Sequence, residues 1–290
     1  MTILNMKNDS VQLEGTIRDK FIRLLDELHK MGSVLVSLSG GVDSSVLAAA
    51  AKIALGKNAL AVTANSPALP SKELQTAENI AKEIGIRHMV IETDELNNAD
   101  FVMNPPTRCY YCKTELISKL KRIAQKESIA IIADGLNADD LNQHRPGRRA
   151  LKEHGIAAPL ADVNLSKKEV REIAKILVPH VADKPSTACL SSRIPYGRKI
   201  TEERLLRIGK AEEIIHELTG IRQLRVRDHD DIARIEIGVD ELGKMFSLDL
   251  MSRTAKELKR LGYRYVTLDM EGYKPGGFDE EVLGKTNRFK

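Results

Sequence analysis

The sequence lacks any apolar run that approaches the roughly 20 residues of a membrane span. Its first residues, MTILNMKNDS, lack the basic flank and apolar core of a signal peptide. We therefore expect a cytoplasmic protein without a membrane partner. Cysteine is scarce as well, with three residues in the chain. Because no export signal is evident, three cysteines argue against a disulfide framework and favour metal or sulfur chemistry.

The composition is typical of a soluble globular protein. A length of 290 residues suffices for two domains or for one large one. Hydrophobic residues make up 42% of the chain and charged residues 30%, the balance found in proteins with a full core. The formal net charge of +4 neither demands nor excludes a nucleic-acid partner.

The chain is organised around the stretch SGGVDSS at residues 39–45. A short β-branched run at 33–38 precedes it and an Ala-rich helix former at 46–55 follows, which is typical of a strand, a loop and a helix. Gly40 and Gly41 let the backbone approach an anion, and the helix start offers unpaired N–H groups. The pattern predicts a phosphate site, although it is neither a Walker loop nor a dinucleotide G-x-G-x-x-G loop.

The polar side chains of this loop extend the predicted site. Ser39, Ser44 and Ser45 supply hydroxyl groups. Asp43 supplies a carboxylate where a phosphate-bound magnesium ion needs an oxygen ligand. The alternative interpretation is an ordinary tight turn between a strand and a helix.

Strands and helices alternate as far as residue 177. The predicted strands cover 33–38, 59–64, 88–91, 129–133 and, as a fifth, 157–163. The predicted helices cover 11–31, 46–55, 71–84, 109–126 and 166–177. This alternation predicts an α/β fold with a doubly wound parallel sheet, whose ligand binds beyond the carboxyl ends of the strands.

Two polar segments are predicted to join the site. DGLNADD at 134–140 directly follows a predicted strand, so its acids and Gly135 should share a crevice with the glycine loop. HRPGRRAL at 144–151 places three arginines around a predicted Pro-Gly turn. We interpret the basic stretch 145–149 as a mobile flap that meets phosphate or carboxylate on a substrate, the alternative being a solvated loop.

The composition changes after Gly197. We predict one domain over residues 1–197 and a smaller C-terminal α+β domain over 198–273, used for substrate binding or oligomerisation. Its predicted helices cover 201–218 and 249–261, and its predicted strands cover 221–227, 232–239 and 263–268. The remaining residues, 274–290, are predicted to be disordered.

Two arginines of the predicted strand LRVRD face the same side. Arg225 and Arg227 are two residues apart, so both guanidinium groups can reach one anionic group while Leu224 and Val226 face the core. The alternative is a solvated strand face.

The three cysteines occupy two segments. Cys109 and Cys112 form a C-x-x-C at a helix start, a position that lowers thiol pKa values. Cys189 lies in the loop 184–197, which also carries Arg193. A redox pair would use the first two cysteines alone, and a structural zinc ion would require four ligands. Three thiolates on a cubane iron-sulfur cluster leave one iron open to a ligand such as sulfide; unrelated thiols are the alternative.

Several of these segments together resemble one enzyme family. SGGVDSS, CYYCK, DGLNADD, RPGRRA, CLSSRIPYG, LRVRDHD and ARIEIG resemble the LarE-type ATP-dependent pyridinium-3,5-biscarboxylic acid mononucleotide sulfurtransferases of nickel-pincer nucleotide synthesis, in the PP-loop ATP pyrophosphatase superfamily. The resemblance implies an adenine nucleotide alpha hydrolase-like fold. It also implies that ATP adenylates a substrate carboxylate with release of pyrophosphate, and that a sulfur nucleophile then displaces AMP. The implied assembly is a homohexamer, with sulfide or another sulfur donor.

The resemblance also implies roles for particular residues. ATP phosphates and Mg²⁺ would be held by Ser39, Gly40, Gly41, Asp43 and Ser44, with Ser45 and Gly135 beside them. The substrate pocket would be lined by Arg225, Arg227, Glu213 and Glu236. Cys189, Asp43 and Arg193 would act in catalysis, since Cys189 matches the cysteine that gives up its sulfur in single-cysteine members.

The chain departs from the single-cysteine pattern because it also has Cys109 and Cys112. In similar three-cysteine members the trio is expected to hold a 4Fe-4S cluster, so we expect Cys109, Cys112 and Cys189 to be cluster ligands and the sulfur to come from a donor. Two other functions stay open. A tRNA thiolase would want a clear basic surface, and a non-catalytic nucleotide-binding iron-sulfur module would have little use for a magnesium ligand. An amidotransfer function like that of NAD synthetase would give none of the three cysteines a chemical role.

Overall fold

The computed structural model describes Leu13 and residues 15–142, 146–185 and 188–274. Parts of three predictions therefore lie outside the described residues: the start of the helix predicted from Val11, Arg145 of the basic stretch, and the tail from 275 onward. The described residues form two compact units. The first takes in the chain up to Ser66, Ser71–Asp94 and residues 109–185, and the second takes in Pro67–Pro70, Glu95–Arg108 and residues 188–274.

The first unit contains a four-stranded parallel sheet within the described residues. Its strands are β1 (Val34–Ser37), β2 (Ala59–Asn65), β3 (Arg87–Glu92) and β4 (Ile131–Ala133), in the order β3-β2-β1-β4. The helices that belong mainly to this unit are α1 (Gly15–Met31), α2 (Val42–Leu55), α3 (Ser71–Ile84), α5 (Arg108–Lys126), α6 (Pro146–Glu153), α7 (Pro159–Asp162), α8 (Lys167–Leu177) and α9 (Pro179–Ala182), while the short α4 (Ala99–Val102) lies in the second unit.

Both faces of this sheet are covered, as the alternation of side chains requires. Val34 and Val36 of β1 join a core cluster with residues of α1, α2 and α8. Leu35, which points the other way, packs in a cluster with Leu120 of α5. The predicted α/β fold with a doubly wound parallel sheet is therefore confirmed.

Two predictions for the first unit are wrong. No fifth strand covers 157–163: Ala157 makes a single parallel bridge to Ala133, and α7 then begins at Pro159. Proline suits the first turn of a helix because the N–H that it lacks has no intrahelical partner there. The Pro-Gly pair at 146–147 likewise opens α6 instead of a turn.

The second unit pairs a small sheet with two longer helices. Its strands are β5 (Leu224–His229), β6 (Ile232–Ile237) and β7 (Tyr265–Leu268), with β5 antiparallel and β7 parallel to β6. The helices are α10 (Glu202–Thr219) and α11 (Leu248–Arg260). Its core includes Leu224 and Val226, so their predicted inward orientation is confirmed. The domain boundary predicted at Gly197 stays a prediction.

Across the described residues, no helix combines the length and the apolar character that crossing a membrane would require.

Candidate active site

The glycine loop joins β1 to α2 and is shaped by Gly40. Its backbone has a φ of 74°, a conformation that residues with a Cβ rarely adopt. A Cβ added to Gly40 would come within 3.0 Å of the carbonyl oxygen of Glu73. Helix α2 begins at Val42 rather than at the predicted residue 46, so Asp43, Ser44 and Ser45 lie in its first turn. The loop therefore presents helix N–H groups as a phosphate cradle would.

The serine hydroxyls hold the loop in this shape. Ser45 Oγ donates to the carbonyl of Gly41 at 2.7 Å, and Ser44 Oγ donates to the same carbonyl at 3.1 Å. The N–H of Ser39 donates to Ser44 Oγ at 3.2 Å. These bonds fix the loop before any ligand arrives. The predicted role of the serines toward phosphate stays a prediction.

The segment after β4 lies directly against the loop, as the open-sheet rule predicted. A Cβ added to Gly135 would come 2.7 Å from the backbone nitrogen of Ser44 and 2.9 Å from its Cα. Glycine at 135 is therefore required by the close approach of two backbones. This contact places Gly135 beside the phosphate cradle.

Asp43 is held from two sides. Asn137 donates its side-chain N–H to Asp43 Oδ1 at 3.1 Å, and the ammonium group of Lys167 pairs with Asp43 Oδ2. Asn137 is itself oriented, because its Oδ1 accepts the backbone N–H of Asp139 at 2.9 Å. Lys167 is anchored by its own backbone N–H, which donates to Asp139 Oδ2 at 2.8 Å. Sequence reasoning missed Lys167, since a lysine at a helix start has no local signature.

A magnesium ion fits this donor set only in part. Asp43 offers the carboxylate oxygen that Mg²⁺ prefers. Within the described residues, no group of three or more His, Cys, Asp and Glu side chains could hold a metal ion. Asp43 would therefore share the ion with phosphate oxygens and water, which is how Mg²⁺ is commonly bound beside polyphosphates.

A second lysine reaches the loop from the end of the first unit. Lys184 Nζ donates to the carbonyl of Gly40 at 3.0 Å and pairs with Glu73 Oε2 at 2.6 Å. Glu73 is buried. The loop therefore has one ammonium group on its glycine and another, that of Lys167, on its carboxylate. This pairing was also not visible in the sequence.

The C-x-x-C pair lies where it was predicted, in the first turns of α5. Cys109 is exposed and Cys112 is half-buried, and neither is joined to another described cysteine by a disulfide. Lys113, the next residue, pairs with Asp134 at 2.8 Å. Burial opposes the charge on Lys113, but the attraction of Asp134 and of the two thiols outweighs it and raises the pKa of Lys113 above its usual value.

The interpretation of 145–149 as a mobile flap needs correction for its described part. Arg148 donates to the backbone carbonyls of Asp140, at 3.1 Å, and Leu141. The guanidinium of Arg149 lies 3.9 Å from the ring centroid of Tyr110. Helix α6 also packs Gly147 near Cys109, since a Cβ at 147 would lie 3.5 Å from the Cys109 carbonyl oxygen. These arginines therefore hold α6 in place.

In the second unit, Arg193 is a buried anchor. Its side chain is 1% exposed and forms a two-point ion pair with Glu212 of α10, at 2.9 and 3.0 Å. Its Nη1 also donates to the carbonyls of Ala188, at 2.6 Å, and Cys189, at 3.0 Å. Sequence reasoning named the neighbouring Glu213, which is half-buried, and missed Glu212.

Arg225 and Arg227 are both buried, so the solvated-face alternative is wrong. Arg227 pairs with Glu236 at 2.7 Å and donates to the carbonyl of Ser192 at 2.8 Å. Arg225 lies 5.0 Å from the ring centroid of Tyr273. Burial, reinforced by the positive charge of Arg193, lowers the pKa of Arg225. The second unit thus concentrates three guanidinium groups near the chain segment of Cys189.

The predicted cluster ligands are divided between the two units. Cys109 and Cys112 belong to the first, and Cys189, half-buried, belongs to the second. In the part of the chain that the structure describes, they do not form a ready metal site. The 4Fe-4S cluster therefore stays a prediction.

The parallel sheet, the S-G-G-x-D-S loop at its carboxyl edge and the acidic segment against that loop define an ATP-using enzyme of the PP-loop class. A family model described as NAD synthase matches residues 16–108. An uncharacterized protein of Synechocystis sp. is 40% identical over 90% of this chain and 97% of its own. GMP synthase of Thermosipho africanus is 27% identical over 53% of this chain and 34% of its own.

A further relative carries a specific name. Pyridinium-3,5-bisthiocarboxylic acid mononucleotide synthase of Lactiplantibacillus plantarum is 33% identical over 92% of this chain and 96% of its own. The chain belongs to this LarE-type family, and it is an ATP-dependent sulfurtransferase of the PP-loop superfamily.

Proposed function

We propose that the protein adenylates a carboxylate of a pyridinium-3,5-biscarboxylic acid mononucleotide with ATP and replaces a carboxylate oxygen with sulfur, as a step of nickel-pincer nucleotide synthesis. The observation that carries the proposal is the phosphate cradle of residues 39–45 in a chain similar, over 92% of its length, to a synthase of the bisthiocarboxylic acid mononucleotide. A tRNA thiolase and a non-catalytic nucleotide-binding iron-sulfur module explain less, since neither function accounts for that similarity.

The first unit supplies the adenylation chemistry. The glycine loop would hold the polyphosphate, and Asp43 would hold a Mg²⁺ ion, which would neutralise phosphate charge. Lys167, whose ammonium group pairs with Asp43 Oδ2, supplies a positive charge beside the same loop. Attack of the substrate carboxylate on the α-phosphate gives the acyl adenylate and pyrophosphate.

The second unit supplies recognition of the substrate. Arg225 and Arg227 are buried beside each other on β5, and a buried guanidinium binds phosphate or carboxylate more strongly than an exposed one. Glu236 balances Arg227 in the absence of substrate. Glu213 is half-buried on α10 and stays a candidate for the same pocket. The homohexamer implied by the family resemblance is part of this proposal.

The sulfur has two possible sources. In the cluster hypothesis, Cys109, Cys112 and Cys189 hold a 4Fe-4S group that carries sulfide from a donor. The alternative is the sulfur of Cys189 itself.

The test is a product assay with the full chain under anaerobic conditions. ATP, Mg²⁺ and the mononucleotide should yield AMP and pyrophosphate together with a thiocarboxylate, detected by its mass. ADP and phosphate would contradict the proposal. Transfer RNA in place of the mononucleotide should give no pyrophosphate, and tRNA-dependent pyrophosphate release would favour the tRNA thiolase.

A further inference from the structure

The peptide group between Gly40 and Gly41 is held by two charged side chains of the first unit. Its carbonyl oxygen accepts from Lys184 Nζ at 3.0 Å, and the same ammonium group pairs with Glu73 Oε2 at 2.6 Å. Glu73 also approaches with its backbone, since its carbonyl oxygen would lie 3.0 Å from a Cβ added to Gly40. The ion pair of Lys184 and Glu73 is therefore built around this one peptide group.

The ion pair is anchored independently of any ligand. Glu73 is 8% exposed and lies in the first turn of α3. The backbone of Lys184 is held as well, because its N–H donates to the carbonyl of Val181 at 3.1 Å and its carbonyl accepts from Nη2 of Arg171 at 3.0 Å. A hydrogen bond from a charged donor is stronger than one between neutral groups, so Lys184 fixes the orientation of the Gly40 carbonyl.

The orientation of this carbonyl sets the direction of the Gly41 N–H. In a planar trans peptide the C=O and the N–H point in opposite directions. With the carbonyl on Lys184, the N–H of Gly41 points toward Ser39 Oγ at 3.4 Å, which is too long for a strong bond. Ser39 Oγ lies 3.1 Å from Ser44 Oγ, and both serines are predicted to contact phosphate. The Gly41 N–H is therefore directed toward the predicted phosphate position.

We propose that Lys184 and Glu73 form a peptide lock, which keeps the Gly40 carbonyl out of the phosphate cradle and the Gly41 N–H directed into it. Both residues of this peptide are glycines, so its rotation meets little steric resistance. A rotated peptide would turn a carbonyl oxygen, which carries partial negative charge, toward the phosphate. The inference rests on the proposed function and makes Lys184 a positioning residue, because it acts on the polyphosphate through the backbone.

The peptide lock differs from simple neutralisation of Glu73. A buried carboxylate beside the cradle would repel phosphate if Lys184 were absent, and this repulsion requires no rotation of the peptide. The double variant Glu73→Met/Lys184→Met separates the two effects, because it removes both charges together. Neutralisation predicts that the double variant binds phosphate as the parent does. The peptide lock predicts weak binding, because neither methionine can donate to the Gly40 carbonyl.

Binding of inorganic pyrophosphate in the presence of Mg²⁺ tests the peptide lock without the mononucleotide. Isothermal titration calorimetry with the full chain measures the dissociation constant. For Lys184→Met and for the double variant we expect a constant about tenfold or more above the parent value, which is the size of effect that one charged hydrogen bond produces. The KM for ATP should rise in the same two variants.

Lys20 supplies a matched control in the same unit. Its ammonium group also donates to a backbone carbonyl, that of Asn164 at 2.6 Å, and pairs with a carboxylate, that of Glu169 at 2.7 Å. The side chains of Lys20 and Lys184 are both 19% exposed. Lys20→Met should lower the melting temperature but leave pyrophosphate binding at the parent value. If Lys184→Met does not fold, the double variant decides, because it leaves no unpaired buried carboxylate.

The direction of the Gly41 N–H can be observed by NMR. In a chain labelled with ¹⁵N-glycine, the variant Gly41→Ala identifies the Gly41 amide signal among the 19 glycines. Saturating pyrophosphate should move this signal downfield in the parent chain, because the N–H then donates to an anion. In the double variant the signal should not make this shift.

The outcomes distinguish the peptide lock from the proposed function. Parent-like pyrophosphate affinity and a parent-like Gly41 shift in the double variant would overturn the lock and leave the function intact. An equal loss of affinity in Lys20→Met would also overturn the lock, because the effect would then be one of general stability. A parent chain that binds no pyrophosphate would refute the phosphate cradle, and with it both the lock and the proposed function.

Discussion

Asp43 is the residue whose chemistry is most directly testable. Asp43→Asn keeps an oxygen for the amide of Asn137 but loses the negative charge that pairs with Lys167 and that is proposed to bind Mg²⁺. We expect pyrophosphate release to fall by about 100-fold or more, because a bound metal contributes several kcal/mol to stabilising charge in a transition state. A magnesium titration of pyrophosphate release measures this effect.

The control for this variant is Asp94→Asn, which removes a carboxylate of the same unit that is largely exposed and paired with Lys119. It should release pyrophosphate at the parent rate. Circular dichroism should show the same melting curve for Asp43→Asn as for the parent chain. Parent-level pyrophosphate release by Asp43→Asn at every magnesium concentration would remove Asp43 from the metal site.

A substitution at Gly135 should affect both stability and ATP binding. In Gly135→Ala the new Cβ would meet the backbone of Ser44, which cannot move without distorting the phosphate loop. Overpacking of this kind costs about 1–3 kcal/mol. We expect a lower melting temperature and a raised KM for ATP. Gly243→Ala is the matched control, since a Cβ there meets nothing within 4 Å; equal KM values for both variants would contradict the close approach.

At the scale of the element, sequence patterns predicted helices and strands well where local signals agree. Helix α3 begins and ends at the predicted residues 71 and 84, because its apolar spacing stops at Gly85. Helix α6 could not be predicted because Pro and Gly are typical of turns. In the structure Pro146 opens a helix whose Arg148 donates to the carbonyls of residues 140 and 141. That stabilisation is tertiary and leaves no local pattern.

A network of ion pairs around a buried aspartate connects helix α10 to strand β5. Asp228 of β5 is fully buried and accepts from Arg204 at 2.7 Å, Arg207 at 2.6 Å and the hydroxyl of Tyr263 at 3.0 Å. Burial and the charge of Asp228 raise the pKa of Tyr263, so this phenol stays a donor at any ordinary pH. Asp228→Asn leaves two half-buried guanidinium groups without the buried carboxylate that they share, and we expect it to cost about 3–5 kcal/mol.

Urea unfolding measures that cost. The comparison is Asp230→Asn, which is 49% exposed and pairs with Arg204 at 3.1 Å and Arg198 at 3.2 Å. Exposed pairs contribute at most about 1 kcal/mol, so this variant should unfold close to the parent midpoint. Similar midpoints for the two variants would mean that the buried network does not secure α10 to the sheet.

For the whole molecule, the sequence indicated the class of chemistry. It did not indicate which side chains contact the residues of the candidate site. The glycine loop, Asp43 and Gly135 could be predicted because they lie at strand ends of a recognisable pattern. Lys167 lies 124 residues from Asp43, and Glu212 lies 19 from Arg193. Such pairs depend on how elements pack, and adjacent glutamates such as 212 and 213 differ in a helix only by the face that they occupy.

The source of the sulfur is the prediction that involves both units. If Cys189 gives up its own sulfur, each chain should transfer at most one sulfur during anaerobic turnover with ATP and the mononucleotide, and it should lose the mass of one H₂S. In that case Cys109→Ser and Cys112→Ser should keep the single transfer, because Cys189 is the cysteine that matches the sulfur-yielding residue of the family. Cys189→Ala should still release pyrophosphate, because the phosphate loop belongs to the first unit. The cluster hypothesis predicts a different result. The protein mass would stay unshifted, each chain would make several products in the presence of sulfide, and every cysteine variant would lose both its iron and its sulfur transfer.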